Sequence, residues 1–128
     1  MVAEIGFREA MSMIAANQGD GQILFRVVGE GLGDALGTFA ERTYAGRFGK
    51  RAKELESISV ELGERVFTMT MERGRLTAVI ALNSGGIRIS NERVQVDVWV
   101  AKLREELANE AAHSEAARLA LERLALEG

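Results

Sequence analysis

The sequence predicts an α+β domain: a five-stranded antiparallel sheet, four-stranded if its glycine-weakened strand fails, set between helices in the order α-β-β-α-β-β-β-α, with an extended C-terminal helix. Three observations predict it. The hydrophobic period switches from 3.6 to 2 at Ile58 and returns to 3.6 beyond Ser90. Apolar residues make up 47% and charged residues 27% of the 128-residue chain, the composition of one globular domain with a core of its own. Proline is absent, which leaves long helices uninterrupted.

Residues 2–17 read as a first helix, with Ile5, Met11 or Met13, and Ile14 near one side and Phe7 and Ala10 beside them. "NQGDGQ" breaks it, and "QILFRVV" follows as an apolar run of strand length. "GEGLGDALGT" holds Gly29, Gly31, Gly33 and Gly37 and reads as a loop, part of it a weak edge strand. "TFAERTYAGRFGKRAKELES" reads as a second helix, with Thr38 and Glu41 at capping-box spacing. The period then becomes 2. Ile58, Val60 and Leu62 alternate, then Phe67, Met69 and Met71, then Leu76, Ala78, Ile80 and Leu82. Gly63 and Gly74 supply turns, so these runs form an antiparallel meander. After "NSGGIRIS", Ser90 or Asn91 caps a last helix whose buried stripe is Val96, Val100, Leu103 and Leu107, with Trp99 alongside. No glycine follows before Gly128, so this helix is expected to run for about thirty residues, roughly 50 Å. The domain is placed at residues 1–109 and a helical extension at 110–128. The overhang, with Ala117, Leu121 and Leu124, wants a partner helix, which makes Leu121 and Leu124 candidate oligomerisation residues.

The chemistry-bearing residues are sparse. There is no cysteine and one histidine, His113, which excludes disulfides and thiolate catalysis and leaves no metal site. No carboxylate pair converges and no serine stands in a nucleophile elbow, so no catalytic residue, metal or cofactor is expected and the chain reads as a non-enzyme. A net charge of −3 does not suit a nucleic-acid binder. No apolar run spans a membrane and the first residues lack a secretory pattern, so the expected location is cytoplasmic. The frames from Gly29 and Gly31 both miss the dinucleotide fingerprint, though a small ligand or nucleotide on the Gly29–Gly37 loop stays an alternative. Arg42, Arg47, Lys50, Arg51 and Lys53 run without an intervening acid and are the candidate partner-binding patch. Met69 and Met71 read as core filler.

The stretch "SISVELGERVFTMTMERGRLTAVIALNSGGIRISNERVQVDVWVAKLREEL", Ser57 to Leu107, resembles the roadblock (dynein light chain) family in its meander, short loop and final helix. Upstream, Glu30–Gly31 stands where that family has an Asp-Gly turn. The resemblance implies two copies joined edge to edge, second helices side by side. It further implies a non-catalytic scaffold or regulator for a protein partner such as a Ras-like small GTPase. The alternative of another kind is an acidic dimeric chaperone for a secreted effector, for which the pI near 5.3 is suitable.

Overall fold

The structure is a computed structural model, and it describes residues 6–16, 21–45, 54–72 and 75–126. Two helices, α1 (Phe7–Ala15) and α2 (Gly21–Leu36), lead through a 3-10 turn (Gly37–Phe39) into five strands. These are β1 (Ala40–Ala45), β2 (Glu54–Leu62), β3 (Arg65–Glu72), β4 (Arg75–Ser84) and β5 (Ile87–Val94). Helices α3 (Val96–Ala111) and α4 (Glu115–Leu126) close the fold. The sheet is antiparallel throughout, in the order β1-β2-β3-β4-β5.

The class, the strand number and the antiparallel pairing are those the sequence predicts. The meander register is also as expected: Met69 lies opposite Ala78, and Met71 opposite Leu76. Both methionines are buried in the core cluster, which settles their role as filler. Phe67 meets Trp99 edge to face at 6.0 Å, and the Trp99 Nε1–H donates to the Val79 carbonyl at 3.2 Å. That bond satisfies the one polar atom of a fully buried indole and pins α3 to the sheet.

Several elements differ from expectation. "QILFRVV" and most of the glycine run form one helix, α2, not a strand and a loop. Its buried residues, Leu24, Phe25, Val28, Gly29, Leu32, Ala35 and Leu36, recur at helical spacing straight through the glycines. The glycines are there because the helix packs closely. A Cβ on Gly29 would sit 2.0 Å from Leu55 Cδ2, and one on Gly31 would sit 2.7 Å from the Phe7 ring. Gly37, at φ +56°, ends the helix in the left-handed conformation that glycine favours.

The segment read as a second helix instead supplies β1 and the start of β2, paired from Ala40↔Val60 to Ala45↔Glu54 with a bulge after Thr43. Cross-strand pairing overrides the helical propensity of its Ala, Glu and Arg residues. "IRIS" extends to an eight-residue strand, β5, joined to β4 through Gly85 and Gly86, both at positive φ as a tight hairpin of the primed type requires. Helix α3 therefore starts at Val96, with Gln95 rather than Ser90 or Asn91 at its N-cap.

The long C-terminal helix is two helices. The chain breaks at 112–114, and the Ser114 hydroxyl accepts from the Ala117 N–H at 3.2 Å to cap α4. Helix α4 turns back onto α3 and α2, and Ala120 and Leu124 enter the same core cluster as the sheet and the first three helices. The overhang expected from the sequence is thus folded into the core.

Among the described residues the helices gather on one face of the sheet. The strand residues in the core cluster (Ile58, Val60, Phe67, Met69, Ala78 and Ile80 among them) all share one face, and all four helices contribute to that cluster. Val66 and Val79, which point to the other face, lie outside it.

Candidate interaction surfaces

Three surfaces are left without a partner among the described residues. The first is β5. Every residue from Ile87 to Arg93 is exposed, with Ile87 at 67% and Ile89 at 58%, and Val98 at the start of α3 is exposed as well. Only its β4 side is paired, so the main-chain groups along its outer edge have no ladder. A bulge after Leu82, where Ser90 and Arg88 fall opposite consecutive β4 residues, displaces Ile89 from the register. Arg88 is held in place by Asn83 Oδ1 at 2.6 Å and Asn91 Oδ1 at 2.8 Å.

The second is the helix-free face of the sheet. The pairing aligns Glu41, Ser59, Thr68, Val79 and Arg93 in one row across all five strands. On one side of it run Thr43, Ser57, Thr70 and Thr77, and on the other Glu61, Val66, Ala81 and Asn91. The Ser59 and Thr68 hydroxyls meet at 3.4 Å. Ala81 is 2% exposed and lies outside the core cluster.

The third is a groove of about 600 Å³ between α1 and α3. Phe7, Met11, Val100 and Ala101 form its apolar floor, and Arg8, Asp97 and Arg104 its charged rim. Arg104 Nε is buried there with no acceptor. The Arg8 guanidinium donates to the Ala125 carbonyl at 3.3 Å, at the C-terminal end of α4, where a cation is favoured.

The residues singled out from the sequence are not brought together. Arg42 lies on β1, exposed, its guanidinium against Gly33 of α2. Arg47, Lys50, Arg51 and Lys53 fall outside the described residues, as does Gly74. Leu124 is 1% exposed and Leu121 packs half-buried against the core, so neither presents a free seam. His113 is exposed in the α3–α4 turn. The Gly29–Gly37 segment is helix rather than loop, with its glycines against Leu55, Phe7 and Arg42, so the backbone cradle a phosphate needs is not formed. The groups with a perturbed pKa sit on the outer face of α4. The hydrogen bond from Arg118, and then its charge, hold the Glu115 carboxyl below the usual range, and Glu115 in turn raises Arg118. Arg118 also reaches Glu122 at 2.6 Å, so this is a surface ion-pair network along one helix.

What the sequence reading missed, β5 and the bare sheet face, depends on which strand ends the sheet and which face the helices choose. Among the described residues no helix is long and apolar enough to cross a membrane. No family model, no curated protein and no solved structure matches the chain, and nothing among these comparisons identifies a roadblock domain.

Proposed function

We propose that this chain is a cytoplasmic, non-catalytic homodimeric scaffold that binds a protein partner, and that β5 receives it. The observation that supports this reading is the exposure of β5 on both faces and along its outer edge, with Ile87 and Ile89 uncovered. A strand so placed is costly to order for its own sake, since it buries almost nothing and pairs on one side only. An extended segment of a partner adds to such an edge through main-chain hydrogen bonds, while alternate side chains meet the isoleucines. The resemblance to roadblock domains makes a Ras-like small GTPase the partner class of first choice, with small GTPase regulation as the role. A second reading, an acidic dimeric chaperone for a secreted effector, draws on the apolar groove between α1 and α3.

The test is a pull-down from native lysate with the tagged chain and with an Ile87→Lys/Ile89→Lys variant, each in excess GDP and in excess non-hydrolysable GTP analogue. Both substitutions lie on exposed positions and leave the core intact. A partner captured by the parent and lost from the variant supports β5, and a GTPase enriched in one nucleotide state supports regulation. Equal capture by both proteins contradicts the assignment of β5. Capture of a single secreted chain, indifferent to nucleotide, moves the reading to a chaperone.

A further inference from the structure

Arg104 is the one side chain among the described residues that holds a buried polar atom with no partner. A guanidinium is seldom taken out of water unless an acceptor waits for it. The chain supplies none. Positions three and four residues away on α3 are Val100, Ala101, Leu107 and Ala108, so no acid is placed to reach it along the helix. Glu105 and Glu106 share a separate small cleft with Arg65 and Lys102, and Glu106 pairs with Arg65 at 3.3 Å. The groove's own acid, Asp97, lies seven residues back, about 10 Å along the helix axis. Its Oδ1 accepts from the Val98 N–H at 2.9 Å. The rest of the groove suits an apolar occupant. Phe7 and Met11 stand one turn apart on α1, opposite Val100 and Ala101. Ala101 is exposed and leaves only a methyl group where a longer side chain would close the gap. The groove's volume of about 600 Å³ falls within the roughly 300–1,000 Å³ of small-molecule sites. Arg8 and Arg104 against Asp97, two cations and one anion, give it a net charge of +1 in a chain of net charge −3.

We propose that the groove between α1 and α3 binds a small amphiphile with one carboxylate and a hydrocarbon tail, the class to which a medium-chain fatty acid belongs. The carboxylate accepts from the Arg104 Nε–H and a neighbouring Nη–H, the fork of donors that matches two carboxylate oxygens. The tail lies against Phe7, Met11 and Val100, which a charged or strongly hydrated ligand would leave unsatisfied. An amphipathic helix from a partner is a poorer occupant. Helix α1 has nine residues, so it is about 14 Å long and walls only about two and a half turns of a groove. The site is separate from β5 and does not depend on the partner proposed for that strand.

Isothermal titration calorimetry of the full chain with octanoate and with octanol tests it. Octanoate is expected to bind saturably and roughly tenfold more tightly than octanol, the difference a hydrogen-bonded charge supplies. Arg104→Met keeps the apolar stem and removes the guanidinium. It is expected to bind the two probes alike and to melt no lower than the parent, because no buried donor is left without an acceptor. Ala101→Trp changes an exposed position and fills the groove, so it is expected to lose both probes with an unchanged circular dichroism spectrum. Ile87→Lys/Ile89→Lys is expected to bind octanoate as the parent does. Octanoate bound no better than octanol, or equally well by Arg104→Met, overturns the carboxylate site. Saturable binding that survives Ala101→Trp lies elsewhere and overturns the groove. A parent that takes up no octanoate overturns the proposal, and if Ala101→Trp then fails to capture the protein caught by the parent in the pull-down, the groove belongs to that protein instead.

Discussion

Gly29→Ala tests whether the glycine-rich run is packed helix. A Cβ there would stand 2.0 Å from Leu55 Cδ2, and Leu55 is 1% exposed and hemmed in by the core. Overpacking of that kind costs about 1–3 kcal/mol, and so close an approach belongs in the upper half of the range. Alanine returns about 1 kcal/mol of helix propensity over glycine. The net expectation is a loss of about 1–2 kcal/mol, a fall of roughly 3–8 °C in melting temperature for a chain of this size. Gly33→Ala is the control with the opposite sign. Its neighbour is the guanidinium of exposed Arg42, which can swing away, so the propensity gain survives and the variant should melt higher. Truncating Leu55 should couple favourably to Gly29→Ala by about 1 kcal/mol or more in a double-mutant cycle, because the clash disappears with it. The assay is thermal and urea unfolding followed by circular dichroism. A Gly29→Ala variant as stable as the parent, or no coupling to Leu55, would refute the close contact between α2 and β2.

The remaining predictions concern the core and the surface charges. Ile80→Asp buries an unpaired carboxylate beneath α3 and should prevent folding, whereas Val79→Asp on the opposite face should leave a folded chain; circular dichroism separates the two. Trp99→Phe deprives the Val79 carbonyl of its donor and should cost about 1–3 kcal/mol in urea unfolding. Ending the chain after Ala112 removes Ala120 and Leu124 from the core, where Leu→Ala alone costs about 2–5 kcal/mol, so the truncated chain should unfold at room temperature. The folded-state pKa of Glu115 is lowered by Arg118. Its contribution is therefore present above the unfolded value near 4.5 and lost as pH falls through the lower folded value. Glu115→Gln should narrow the stability difference between pH 6 and pH 3, read from paired melts.

The C-terminal half of the fold is legible because each strand there has one buried face and therefore alternates. Phe67, Met69 and Met71 against Val66, Thr68 and Thr70 leave one register that buries the apolar set. Trp99, Leu103 and Leu107 mark α3 in the same way. Helix α2 is not legible locally, because "QILFRVV" in isolation is equally a strand and a buried helical turn. The stripe through Leu32, Ala35 and Leu36 decides for helix, but only when the glycines between are taken as close contacts rather than breakers. The antiparallel pairing of β1 with β2 joins residues distant along the chain, which local propensity does not record. Strand β5 buries neither face, so it has no hydrophobic alternation to find. Ser114 carried the one local signal for the break before α4, a cap ahead of an apolar helical stripe. The candidate surfaces follow from topology: a meander leaves β5 last in the sheet, and four helices on one side leave the other side bare among the described residues.

Amide hydrogen exchange on the chain alone and in complex with the protein it captures tests the central claim most directly. The account predicts that amides of Ile87–Val94 exchange fast in the free chain on the unpaired edge and slow markedly in the complex, with α1 and α3 unchanged. Protection confined to the groove between Phe7 and Val100, with β5 as fast as before, would contradict it.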